Sequence, residues 1–166
     1  MVSETEIYLK LKKELPKKGW ILIGGEPPDG TNSMPRIELK DYSNISKGSK
    51  GSKKIDLVFF KDSFFLLLEL KEEYDYSDVK KLNEIVQDEK WRKAFITALK
   101  EKKALELKNI SIDQQKYIHS NSLLIKAIAY SEGKIKHDDF VTFIVDKFGT
   151  NLHFGNGISE NIKQLF

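Results

Sequence analysis

The chain has 166 residues and a mass of 19.2 kDa, with 40% apolar and 32% charged residues, a net charge of +3 and no cysteine. That size and balance predict one soluble domain, residues 1–166, and exclude a wholly disordered chain. The missing cysteines exclude disulfides, thiol nucleophiles and thiolate zinc sites, and they fit a reducing, cytoplasmic setting.

The first residues, 1–6, are polar and acidic without the pattern of a signal peptide, and the longest apolar run, 64–68, is too short to span a bilayer, so no membrane partner is expected. Ser3 followed by Glu6 matches a capping box, and Ile7, Leu11 and Leu15 recur every four residues, which predicts an amphipathic helix over 3–15. Residues 20–24 read as a first strand, 26–35 as a Pro/Gly loop and 36–40 as a short strand. A polar tether, 43–53, leads into two intensely apolar runs joined by a polar turn, the pattern of a buried hairpin. After Lys71 the chain turns acidic, and Ser77 is a candidate cap for one long or two consecutive helices reaching about Leu107. A helical turn over 113–118, strands over 123–130 and 140–145, a turn-rich segment over 149–157 and a terminal helix over 159–166 complete the chain. The order predicts an α/β fold with a mixed sheet flanked by helices.

Three charges interrupt the hairpin: Asp56, Glu69 and Lys71. Side chains alternate along a strand, so Glu69 and Lys71 share a face. If Phe60 faces Phe65 across a four-residue loop, 61–64, the antiparallel register sets Asp56 opposite Glu69. Opposed residues have Cβ atoms roughly 5 Å apart, near enough for two carboxylates to share one cation. A hard ion such as Mg²⁺ prefers oxygen ligands of this kind.

The letters alone carry little. An acid two residues before a lysine occurs also at Glu38/Lys40, Asp78/Lys80, Asp88/Lys90, Glu101/Lys103, Glu106/Lys108 and Glu132/Lys134. Asp29 with Glu38 and Lys40 is even a literal Pro-Asp match, but its first acid lies in a loop and its strand is short. Glu69 and Lys71 differ because they end a run apolar enough for a central strand, where charge is costly to bury without a partner. The plainer reading is that they mark where the strand emerges into water and guard its edge.

Asp56, Glu69 and Lys71 in this arrangement resemble the signature of the PD-(D/E)XK nuclease superfamily, with Ile55 in place of the proline. The resemblance covers roughly residues 3–130, since that fold also places a helix before the hairpin and a helix and strand after it. The E-L-K strand is similar to those of type I restriction motor subunits and archaeal Holliday junction resolvases. It implies a restriction-endonuclease-like fold and a Mg²⁺-dependent DNA endonuclease, with Mn²⁺ expected to substitute. Asp56, Glu69 and the Leu70 carbonyl would be metal ligands, and Lys71 would act on the attacking water or the phosphate. An acid from the first helix is implied as a further ligand. Glu6 is the candidate, although it equally fits its own capping box, and Glu4 and Glu14 are substitutes. Lys47, Lys50, Lys53 and Lys54 are candidate phosphate contacts, which would add affinity without specificity. The expected partner is DNA, bound by a homodimer or by one domain of a larger restriction polypeptide. A junction-specific nuclease and a non-catalytic nucleic-acid or protein-binding module are the alternatives. His119, His137 and His153 lack metal-ligand spacing, and Gly24-Gly25 lacks the rest of a nucleotide loop.

Overall fold

The computed structural model describes residues 1–31, 33–41, 51–133 and 137–166. Helix α1 (Glu4–Lys17) starts with a complete capping box: the Glu6 N–H donates to Ser3 Oγ, and the Glu6 carboxylate accepts from the Ser3 N–H at 2.7 Å. Its buried face carries Ile7, Tyr8, Leu11 and Leu15. Strand β1 (Ile21–Gly25) follows, then a minor two-stranded ladder of β2 (Glu38–Leu39) with β3 (Lys53–Lys54), so Lys53 belongs to a strand and not to the expected tether.

The apolar hairpin forms as β4 (Leu57–Lys61) and β5 (Phe64–Glu73), with Phe60 opposite Phe65 as predicted. Its connection is tighter than the expected four-residue loop, because Lys61 still pairs with Phe64. Asp62 and Ser63 alone make the turn at φ 49° and 71°. Left-handed conformation at both central residues is what a type I′ turn needs to match the strand twist.

Helix α2 (Tyr76–Gln87) is capped by Asp75, whose carboxylate accepts from the Ser77 N–H at 2.8 Å, in place of the expected Ser77. Asp88 then divides the helical region: its extended backbone ends α2, and its side chain caps α3 (Glu89–Glu101) through the Lys90 N–H. A 3-10 turn (Glu106–Lys108) and α4 (Gln114–His119) lead to β6 (Leu124–Glu132), β7 (Val141–Val145), β8 (Thr150–Phe154) and α5 (Glu160–Lys163).

The main sheet has the order β1-β4-β5-β6-β7-β8. Its first three strands are antiparallel, β5, β6 and β7 run parallel, and β8 returns antiparallel. The fold is therefore mixed α/β. Phe65 and Leu67 face one core with α2 and α3, while Leu66, Leu68 and Leu70 face the other with α1. Strand β5 is covered on both sides, which is why its sequence is nearly continuous in apolar residues. Among the described residues no helix is long and apolar enough to cross a membrane.

Candidate active site

The hairpin register carries Asp56, the residue just before β4, to the level of Glu69 on β5. Two backbone bonds fix it. The Leu70 N–H donates to Asp56 Oδ2 at 2.8 Å, and the Glu26 N–H donates to the Asp56 carbonyl at 2.9 Å. Gly25 makes the second contact possible: at φ 152° its backbone passes so close that a Cβ there would overlap the Asp56 carbonyl. Gly25 therefore serves backbone packing behind Asp56, while Gly24 lies against the Pro35 carbonyl and Ile37.

Glu69 is 2% exposed. Burial first, then the Asp56 charge, raises its carboxyl well above the usual range, against the pull of Lys81. Burial also raises Asp56, which the Leu70 N–H, the Lys81 charge, the neighbouring Glu69 carboxyl and Lys71 draw back down. The register sets Asp56 level with Glu69, near enough for its charge to act on the Glu69 carboxyl. Glu69 Oε1 is buried without a hydrogen-bond partner, a costly condition for a carboxylate oxygen.

Helix α2 supplies two residues that the motif does not contain. Lys81 donates to Glu69 Oε2 at 2.7 Å, and Asp78, one turn earlier, lies 3.7 Å from the same ammonium. Asp78 is buried, its carboxyl is raised by that burial, and its Oδ2 also lacks a partner. Read by strand spacing, Asp78 pairs with Lys80; by helical spacing it pairs with Lys81, which shares its face. Only the knowledge that this face packs on β5 would have singled them out.

Lys71 is half-exposed and lies 3.8 Å from Glu4 Oε1. Glu6 is not at the site: both of its hydrogen bonds to Ser3 serve the cap, and they hold its carboxyl below the usual range. Glu4, the expected substitute, is the α1 acid that reaches Lys71. A cavity of about 350 Å³ opens here, lined by the acids Glu4, Glu26 and Asp56 together with Pro27, Pro28 and Leu70.

The proposed phosphate contacts divide. Lys53 donates to Glu84 at 2.6 Å and covers the Trp91 ring, so it faces α2 and α3. Lys54 pairs with Glu26 on the rim of the acidic cavity. Lys47 and Lys50 lie outside the described residues. In the rival Pro-Asp set, Asp29 is turned onto Thr31 within its own loop.

No protein-family profile, curated protein or solved structure matches this chain. The chemistry must be argued from the site itself. Among the described residues no group of three or more His, Asp or Glu side chains is arranged to hold a metal ion. The donors that do converge, Asp56 and Glu69, are hard oxygens, and one of them is an orphan. That set fits Mg²⁺, which keeps several waters and commonly takes only one or two carboxylates with a substrate phosphate.

Proposed function

We propose that the protein is a Mg²⁺-dependent DNA endonuclease of the restriction-endonuclease-like kind, acting in restriction or another defence role. The observation that carries this reading is the register that sets Asp56 level with the buried Glu69 at the end of an apolar hairpin, with Lys71 two residues on. The order of helix, three antiparallel strands, helices and a parallel strand supports the same resemblance.

Asp56 and Glu69 would hold the ion. Bound there, Mg²⁺ would polarise the scissile phosphate and make its water a stronger nucleophile. Asp56 is suited to the task because two backbone N–H groups fix its main chain and carboxylate in advance. Among the described residues Lys71 is held by a long, half-exposed pair with Glu4, which leaves its ammonium able to turn toward a phosphate or toward the water that attacks it. The acidic cavity that Asp56 lines repels phosphate until a cation compensates, which makes DNA engagement depend on the metal. One such site cuts one strand, and a homodimer is the simple arrangement for cutting both.

Incubation of the purified chain with supercoiled plasmid and Mg²⁺ tests this reading. The wild type is expected to nick the plasmid, with Asp56→Ala and Lys71→Ala each reducing the rate at least about 100-fold, in the range of an acid-base or electrostatic contribution. Absence of nicking, or nicking that survives both substitutions, rejects the assignment. Four-way junctions and RNA in the same assay establish which nucleic acid is cut fastest.

A further inference from the structure

We propose that Lys81 is a built-in counter-ion that occupies Glu69 in the metal-free protein and transfers to Asp78 when a divalent cation binds. This rests on Asp56 and Glu69 being the metal ligands. Lys81 Nζ stands 2.7 Å from Glu69 Oε2 and 3.7 Å from Asp78 Oδ1, so moving between them requires a shift of about an ångström at the end of a flexible side chain. Both carboxylates are nine-tenths or more buried, and each keeps one oxygen without a partner, Glu69 Oε1 and Asp78 Oδ2. The cluster therefore has more acceptors than one ammonium can satisfy. A small void of about 10 Å³, lined by Glu69, Lys71, Asp78 and Tyr130 among others, adjoins both carboxylates.

The consequence is competition. An ammonium and a divalent cation seek the same oxygen, and at this separation their repulsion is large even at the effective dielectric of a protein. Lys81 preserves the fold when no metal is bound, and it sets a threshold concentration below which the site stays closed. Asp78 lowers that threshold by giving the ammonium somewhere to go.

Calorimetric titration with Mn²⁺, in the absence of DNA, tests the exchange on the full chain. Lys81→Met is expected to bind Mn²⁺ on the order of tenfold more tightly than the wild type, because a competitor at contact distance has been removed. Asp78→Asn is expected to bind it more weakly, because the ammonium then has no second carboxylate. Thermal melts provide the second readout. Metal-free Lys81→Met should melt lower than the wild type and recover with Mn²⁺, whereas the wild type should gain less. Lys81→Met binding Mn²⁺ no more tightly than a wild type that does bind it overturns the role of Lys81 alone. If neither protein binds Mn²⁺, the metal-ligand reading of Asp56 and Glu69 falls with it. If Lys81→Met fails to fold, Lys81→Arg decides: the retained charge should keep Mn²⁺ affinity at or below the wild-type value, and a tighter site overturns the proposal.

Discussion

Glu69 is where the fold and the chemistry conflict. A carboxyl on the buried face of the central strand costs stability, and its raised pKa, caused by burial and then by Asp56, expresses that cost. The sign follows from linkage. The folded chain holds a proton that the unfolded chain releases near the ordinary value of 4.5, so this group's contribution is complete below that pH and is lost as pH rises through its folded value. Without metal, Glu69→Gln should therefore flatten the fall in melting temperature as pH rises above 4.5, measured by calorimetry across the acid-to-neutral range. An unchanged slope would mean that Glu69 is already compensated. Protons and metal compete for the same oxygens, so Mg²⁺ affinity should rise over that interval.

At the scale of elements, the site is a product of register and of close backbone contact. The Phe60/Phe65 pairing was legible because two apolar runs of matched length admit few registers that keep both faces buried. The Asp62-Ser63 turn was not, since neither residue is the glycine or asparagine that announces left-handed conformation. The Gly25 contact was equally hidden, because it depends on where Asp56 passes in space and not on neighbouring letters. Gly25→Ala should push the Asp56 backbone away, destabilising the fold by about 2 kcal/mol or more and weakening metal binding together with nicking. Denaturant titration gives the first number and Mn²⁺ calorimetry the second. Normal stability combined with normal metal affinity would show that Asp56 tolerates displacement.

Across the whole molecule, the mixed sheet with helices on both faces could be read from the order of periodic segments, and so could the three motif residues. The partners brought by tertiary packing could not. Lys81 and Asp78 look like ordinary helix surface until α2 is laid on β5, and Glu4 exceeds Glu6 only because the capping box occupies the latter. For Lys81 and Asp78 the missing information is which helix face meets the sheet. The resulting architecture places Asp56 on the wall of an acidic cavity and Glu69 on a separate small void, with Lys71 paired to Glu4 and Lys81 to Glu69. The central claim is that these two carboxylates share a divalent cation. Anomalous diffraction from a Mn²⁺-soaked crystal tests it most directly. A shared ion gives a Mn²⁺ peak within ligand distance of both carboxylates, with Lys81 moved from Glu69 toward Asp78. A map with no peak there, and Lys81 still bonded to Glu69 at saturating Mn²⁺, would contradict it.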